Sequence, residues 1–184
     1  MTKRDLIKTI AVFSIIALFS GIILGLFVQL AHISDEERQL RAQKVLESFY
    51  DSKNFEPIDF QNLDLNEDLV KNIQYFFYDE TDDVYAVVAK GVKGYGDVVI
   101  MYVIIKDDKI AALKAGDNKE TPGVSDKAFG QNFYKRFLNK DVKNIGFTDI
   151  ETGASEGAAY SKKAVISSIK NAVDFYIEYK KVFG

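Results

Sequence analysis

Residues 149–155, Asp-Ile-Glu-Thr-Gly-Ala-Ser, combine the residue types that suit a phosphate group. Gly153 and Ala154 leave room for a ligand to approach the backbone. The hydroxyls of Thr152 and Ser155 can form hydrogen bonds or act as nucleophiles. A helical pattern follows, and the first N–H groups of a helix favour an anion. Small and hydroxyl-bearing residues are also ordinary helix caps, so two interpretations stand: a phosphate site and a capped helix start.

A second loop joins a carboxylate to residues that shape a turn. Glu120, Thr121, Pro122 and Gly123 lie between a strand-like run and a helical pattern. This segment ends the strand pattern as a loop. An isolated Glu120 equally fits an exposed surface carboxylate. The glycine-containing residues 91–96 resemble nucleotide-binding loops only superficially, because no helical pattern follows them.

Four strand-like runs occupy the middle of the chain, at residues 73–78, 84–90, 98–105 and 110–114. They are rich in aromatic and β-branched residues and are separated by charged or glycine-containing turns, which predicts an antiparallel meander. Residues 145–147 predict a further short strand.

Helical periodicity follows the strands at residues 125–138 and from about residue 161 to residue 182. The last helix carries one apolar stripe, which predicts that it packs on the sheet: Val165, Ile169, Ala172, Val173 and Tyr176. Strands grouped between helices predict an α+β fold.

The N-terminal part of the chain predicts a membrane helix. Residues 9–31 carry no charged side chain and can cross about 30 Å of hydrocarbon as a helix. Basic residues precede this run and acidic residues follow it, so we expect a cytoplasmic N-terminus and an extracytoplasmic remainder. A cleaved signal peptide is the alternative, but its apolar core is shorter, at about 7–15 residues.

The residues after the apolar run predict a linker. Ser34 and Glu37 form a capping-box pattern for a helix that runs to about Tyr50. Residues 51–72 are polar and loop-like, although Leu63, Leu65 and Leu69 are expected to touch the core. We therefore divide the chain into a membrane segment (1–33), a juxtamembrane helix and linker (34–72) and an extracytoplasmic domain (73–184).

Composition argues against several classes of function. The 184 residues include 24 basic and 27 acidic side chains, a balance that gives no basic face for nucleic acid. There is no cysteine, and His32 is the only histidine, so thiolate chemistry and a histidine-built metal site are not expected. No serine lies in a nucleophile elbow, and we expect no catalytic residue in this chain. The acidic turn at residues 79–83 fits a solvated loop better than an acid/base pair.

The two loops together resemble a known family. Residues 149–155 are similar to the Asp-x-x-Ser/Thr-Gly-Ala-Thr/Ser signature of FMN-binding domains that carry flavin through a phosphoester bond. Residues 119–123 are similar to the Glu-Thr-Pro-Gly loop of the same domains. With a single N-terminal span, the whole chain resembles the G subunits of Rnf complexes and, more distantly, the C subunits of sodium-pumping quinone reductases.

The resemblance implies a covalent flavoprotein whose flavin performs the redox chemistry. Ser155 would be the phosphoester acceptor, attached to FMN by a separate flavin transferase. Thr152, Gly153 and Ala154 would shape the loop around it. The flavin ring or its ribityl chain would contact Glu120, Thr121, Pro122 and Gly123. Lys162 or Lys163 would offset phosphate charge.

The chain departs from the family pattern in four places, one of which is Gly123-Val124-Ser125 in place of a Gly-Leu-Gly pattern. Serine stands at the acceptor position, where threonine is usual, and Asp117-Asn118 stands where a histidine is common. Ala164-Val165 also lies about four residues later than the pattern expects. If the helix sets the register, Ala159 falls on the acceptor position. Ser155 remains the preferred acceptor because it supplies a nucleophilic oxygen and Ala159 does not.

The resemblance implies a role in electron transfer. The chain would be a subunit of a membrane-bound ferredoxin:NAD oxidoreductase that couples electron flow to Na⁺ or H⁺ transport. Other membrane subunits would be its partners, and they would carry the ferredoxin, NAD and ion sites. The alternative is an extracytoplasmic flavin-binding or ligand-binding module of another reductase, such as the sodium-pumping quinone reductase.

Overall fold

A computed structural model describes residues 3–31, 33–52, 54–118, 126–152 and 158–184. Within it the chain forms two compact units, Met1–Arg38 and Gln39–Gly184.

The first unit contains the apolar N-terminal helix, α1 (Lys3–Ala31). Its apolar stretch Ile7–Leu26 is 20 residues long, and none of it is buried against the rest of the protein. A helix of this length and composition suits a membrane anchor or a signal sequence. Helix α2 (Asp35–Phe49) begins as its sequence predicts, because the N–H of Glu37 donates to Ser34 Oγ at 3.2 Å.

The second unit is built on a five-stranded antiparallel sheet in the order β1-β2-β3-β4-β5. The strands are β1 (Glu56–Pro57), β2 (Ile73–Asp79), β3 (Val84–Lys93), β4 (Val98–Lys106) and β5 (Lys109–Ala115). The predicted meander of four strands is therefore confirmed. The edge strand β1 was not predicted, because two residues with one proline carry no periodic signal.

Acidic residues close both outer hairpins. Asp107 and Asp108 take positive φ angles of 52° and 55° and link Lys106 directly to its partner Lys109. Two-residue hairpin turns require such angles, which Asp tolerates better than most residues. The longer β2–β3 turn places Asp83 at φ 49°, and Tyr78 donates to its carboxylate at 3.1 Å.

The long C-terminal helix α7 (Ala159–Phe183) covers one face of the sheet. Its predicted stripe is buried as expected and packs with alternate residues of β3, β4 and β5, including Val87, Met101 and Val103. Leu65 completes the edge of this core, with Leu63 and Leu69 partly buried beside it, as predicted. The sheet and its helices confirm the α+β fold class.

Helix α2 covers the opposite face of the sheet. Ala42 and Leu46 are buried against Phe77, Val88 and Ile104, whose side chains alternate with those facing α7. Both faces of the central strands are therefore closed. This explains why β3 and β4 read as nearly continuous apolar runs rather than as an alternation.

Short helices complete the α7 layer. They are α3 (Glu67–Val70), α4 (Asp126–Phe129), α5 (Gln131–Tyr134) and α6 (Phe147–Thr152). The single helix predicted over residues 125–138 is thus divided at Gly130, a residue of low helix propensity. The strand predicted at residues 145–147 is wrong. Phe147 instead begins α6, where its ring reaches the core beside Phe137.

A buried carboxylate fixes the linker to the β2–β3 hairpin. Asp79 is fully buried and accepts hydrogen bonds from Ser52 Oγ and from the N–H groups of Thr81 and Asp82, at 2.8 and 3.2 Å for the two N–H groups. Burial alone would raise the pKa of Asp79, but the hydrogen bonds outweigh it and hold the pKa below its ordinary value. The Asp79 side chain can therefore accept all of these hydrogen bonds only when it is ionised.

We predict that Asp79→Ala lowers the free energy of unfolding by about 1–3 kcal/mol, because it leaves Ser52 and two turn N–H groups without their acceptor. Since the folded-state pKa of Asp79 is lowered, its contribution is present above the unfolded-state pKa and is lost as pH falls through the folded-state value. Urea unfolding followed by circular dichroism at neutral and acidic pH measures both effects. Glu80→Gln, an exposed change in the same turn, is the control. Equal stability of Asp79→Ala and wild type at neutral pH would contradict the assignment.

Candidate functional site

Glycine allows α7 to approach the end of β3 closely. A Cβ atom on Gly91 would lie 2.2 Å from the carbonyl oxygen of Ala164 and 2.9 Å from the backbone N of Ser168. No other residue type fits between these two backbones without displacing one of them. The first turns of α7, which follow the phosphate-type motif, are therefore positioned by the sheet.

Polar side chains of α7 fix its position along β3. Ser168 Oγ donates to the carbonyl of Ala89 at 2.7 Å, and Asn171 Nδ2 donates to that of Lys90 at 2.7 Å. Beyond the pair of Ile73 with Ala89, β3 has no β2 neighbour. Side chains of α7 thus donate to backbone carbonyls of β3 at the point where its pairing with β2 stops.

The start of α7 is locally strained. Ala158 precedes the helix with a positive φ of 52°, and this N-cap residue makes no side-chain hydrogen bond to the helix start. A non-glycine residue in this conformation costs of order 1 kcal/mol or more and needs support from its surroundings. Ala159, the alternative acceptor position, is the first residue of α7 and is exposed.

Lys162 is a positioned cation near this helix start. It is only 7% exposed, and its Nζ lies 5.9 Å from the ring centroid of Phe133 on α5. An ammonium over an aromatic face is held by the ring's negative face. Lys163, the other lysine considered from the sequence, is exposed. Of the two, Lys162 is the one fixed by packing.

One helix beside each predicted loop packs against α7. Helix α6 contains the first four residues of the predicted phosphate-type motif, Asp149 to Thr152, which were not predicted to be helical, and it packs against α7. Helix α4 begins just after the second loop and also packs against α7. The remaining predicted site residues lie outside the described residues: Gly153, Ala154, Ser155, Glu120, Thr121, Pro122 and Gly123. The fold brings the flanking helices of both loops onto one helix.

A cleft opens at the same end of the sheet. It has a volume of about 400 Å³, and its lining includes Val98 and Ile100 of β4, Lys90 of β3, and Asp97, Asp117 and Asn118 from the neighbouring turns. Lys90 adjoins Gly91, the point of closest approach to α7. Lys90 and Ile100 are paired and lie on the α2 face of the sheet, so the cleft adjoins the same strand end as α7 but on the opposite face.

The chemistry of the cleft fits a flat, polar-edged ring system. Val98 and Ile100 offer apolar contact, whereas Lys90, Asn118 and the carboxylates offer donors and acceptors for ring carbonyl and N–H groups. Burial raises the pKa of Tyr102 on the same face, and the charge on Asp117 raises it further. The phenol of Tyr102 thus remains protonated beside the cleft.

The sequence did not single out Lys90, Val98 or Ile100. They lie within ordinary strand patterns, and only their pairing across β3 and β4, Lys90 with Ile100, brings them together. The glycine-containing turn at residues 91–96 was the available signal. Within these residues Gly91 admits the close approach of α7, and the chain turns from β3 to β4 after the last pair, Lys93 with Val98.

Comparison with known proteins identifies the region. Residues 94–174 match the family model described as FMN-binding domain. This stretch includes β4, β5, both predicted loops and the first two-thirds of α7, together with Lys162. No curated protein matches the chain. The chain therefore contains an FMN-binding domain, the domain type found in the G subunit of the Rnf complex and the C subunit of the sodium-pumping quinone reductase.

We predict that Gly91→Ala destabilises the FMN-binding domain by about 1–3 kcal/mol, because its Cβ would collide with the backbone of α7 at Ala164. Urea unfolding of the full chain in detergent, followed by circular dichroism, gives the change. Gly116→Ala is the matched control, since a Cβ there meets its neighbours at an ordinary 3.4 Å. A Gly91→Ala protein as stable as Gly116→Ala would show that α7 does not pack as described.

Proposed function

We propose that this chain is an electron-transfer flavoprotein subunit of a membrane-bound, ion-translocating oxidoreductase of the Rnf type. The proposal rests on the match of residues 94–174 to the FMN-binding domain. This stretch contains both flavin-type loops, which are the predicted loops at residues 119–123 and 149–155. FMN supplies the redox chemistry when bound. The protein would hold FMN, orient it and tune its potential.

We propose that a separate flavin transferase attaches FMN through its phosphate to the Ser155 hydroxyl. The ester would form as the phosphoanhydride bond of a flavin dinucleotide donor breaks, so that the nucleoside monophosphate leaves and the serine proton is released. The motif at residues 149–155 and its position before α7 support this assignment. Thr152, Gly153 and Ala154 would shape the loop. Lys162 would offset the phosphate charge, because burial against Phe133 keeps its ammonium close to the start of α7.

The flavin ring would lie against the second loop, Glu120 to Gly123, and over the cleft that adjoins Asn118. The apolar floor of Val98 and Ile100 and the polar rim support this placement. Lys90 would place positive charge beside the ring, where charge alters flavin redox potential.

We propose that α1 anchors the chain with its N-terminus in the cytoplasm and the FMN-binding domain outside. The distribution of charge supports this orientation, with Lys3, Arg4 and Lys8 before the apolar stretch and acidic residues after it. Electrons would then pass to and from neighbouring membrane subunits, which would carry the ferredoxin, NAD and ion sites.

The quinone-reductase assignment is the second candidate, because the same domain type occurs in both complexes. Purifying the complex that contains this chain distinguishes them. Partners with ferredoxin-oxidising and NAD-linked subunits favour the Rnf type, and partners that reduce quinone favour the alternative.

We predict that Ser155→Ala abolishes covalent flavin, because alanine has no oxygen for the ester. Ser155→Thr should retain it. In-gel flavin fluorescence under denaturing conditions and the mass of the peptide containing residue 155 report the bond. Ser48→Ala, which removes a hydroxyl on α2, is the control. Fluorescence that persists in Ser155→Ala would refute this acceptor.

We predict that Lys90→Gln lowers the midpoint potential of bound FMN, because removing a positive charge disfavours the added electrons. For a two-electron couple, about 30 mV corresponds to 1.4 kcal/mol. Spectroelectrochemical titration measures the shift, with Lys109→Gln at the opposite end of the sheet as control. An unchanged potential in Lys90→Gln would place the ring outside the cleft.

A further inference from the structure

We propose that a groove along the outer edge of β5 binds one extended, uncharged polypeptide segment of a partner protein, which adds a strand beside β5. The groove has a volume of about 490 Å³, and its floor is Ala111 to Ala115. Phe49 of α2 stands on one side, with Phe129 and Leu138 on the other. This inference does not depend on flavin binding.

The backbone of β5 offers unpaired groups to this groove. Gly116 N donates to Ile100 O at 2.9 Å, and because alternate residues of an antiparallel strand point to opposite sides, Leu113 and Ala115 direct their N–H and C=O groups away from β4. Among the described residues no hydrogen bond engages the outward groups of Leu113 or the carbonyl of Ala115, whereas the N–H of Ala115 lies near the hydroxyl of Tyr134. Unpaired edge groups are a template for a further strand.

The first residues of β5 already accept such an addition. Ile110 N donates to Lys140 O at 3.1 Å, and Asn139 N donates to Ile110 O at 2.8 Å. Lys109 also forms a bridge with Asp141. The chain's own residues 139–141 thus pair with the edge at one end, and the edge is left unpaired where the groove begins.

A buried hydroxyl independently indicates a missing partner. Tyr134 lines the groove, is 4% exposed, and its hydroxyl has no hydrogen-bond partner among the described residues. Burial raises its pKa to about 12, against a smaller opposing effect of the Ala115 N–H, so it remains a donor. A buried hydroxyl without a partner is costly. A carbonyl of a strand beside Ala115 would accept its proton.

The side chains on both sides of the groove favour a single extended segment over the edge of another sheet. Phe49 is fixed, since Lys114 Nζ lies 5.3 Å from its ring centroid and donates to Ser48 Oγ at 3.0 Å. Its ring also meets Tyr102 edge to face. Walls on both sides leave room for one strand, and the described lining contains no carboxylate and one engaged lysine. A charged side chain would therefore find no counter-charge, which favours an uncharged segment.

The test uses the full chain in detergent and a fluorescein-labelled hexapeptide, Thr-Val-Thr-Val-Thr-Val, with blocked ends. Fluorescence anisotropy measures its Kd. A second probe carries an N-methyl group on every residue, which removes the N–H donors from both of its edges. We expect saturable binding of the first probe and an affinity at least about tenfold lower for the second, since each lost hydrogen bond costs roughly 1 kcal/mol.

Two variants locate the binding. Ala115→Pro removes an outward N–H without breaking the β4 ladder, and should weaken binding about tenfold, whereas Ala115→Val should not. Tyr134→Phe should weaken binding about fivefold while leaving the unfolding midpoint unchanged or higher, because it removes a buried unpaired hydroxyl. Tyr95→Phe, an exposed change elsewhere, is its control.

Three outcomes would overturn the proposal. They are no saturable binding of the unmethylated peptide to the wild type, equal affinity for both peptides, and binding that is unchanged in both Ala115→Pro and Tyr134→Phe. Analytical ultracentrifugation of the protein without peptide tests whether a second copy of this chain binds the edge of β5 instead. A dimer of the wild type that Ala115→Pro abolishes would assign the edge to a second copy of this chain and reject the single segment.

Discussion

The steric contact between α7 and the end of β3 is the constraint on which the site depends. Because Gly91 has no side chain, two backbones approach to a distance that a Cβ would forbid. That approach lets Ser168 and Asn171 donate to carbonyls of β3. These two hydrogen bonds fix the position of the helix along the strand and its rotation about its own axis. Helices α4 and α6, which flank the two flavin-type loops, then pack on a helix whose position is already set.

A second tether holds the far end of α7. Tyr176 donates to the carboxylate of Asp108 in the β4–β5 turn at 2.7 Å, and Lys143 donates to the same carboxylate at 2.8 Å. Burial and the charge of Asp108 raise the pKa of Tyr176, so it stays a donor. Nearby aromatic rings pack edge to face, including Phe76 with Phe175 at 5.1 Å. The helix is thus fixed at both ends and is not free to tilt as a lever.

The sequence predicted the strands and helices that are long enough to show a periodic apolar pattern. Alternating and continuous apolar runs located β2 to β5, and the 3.6-residue period located the buried face of α7. Short elements were missed because β1, α3 and α6 are too short to show a period, and Gly130 divides a pattern that otherwise continues. Phe147 looked like a strand residue because aromatic side chains fit strands and buried helix starts equally well.

The candidate site was predictable only as far as local chemistry goes. Motif spacing predicted a site at Ser155 and Glu120, both of which fall within the matched residues 94–174, and helical periodicity predicted a helix that contains Lys162. Helical periodicity could not show that Lys162 rather than Lys163 turns inward, because both positions lie beside the apolar stripe of α7. The cleft at Lys90, Val98 and Ile100 arises from pairing between distant residues, which no single stretch encodes.

Closure of the sheet by α2 has a consequence for where the folded body begins. Leu46 and Ala42 lie on the face that Phe77, Val88 and Ile104 would otherwise present to water. A fragment that starts at the first predicted strand, residue 73, would therefore carry a bare apolar sheet face and tend to self-associate. The smallest self-contained body starts at Gln39, where the second compact unit starts. The stretch that the sequence assigns to a linker thus covers one of the two faces of the sheet.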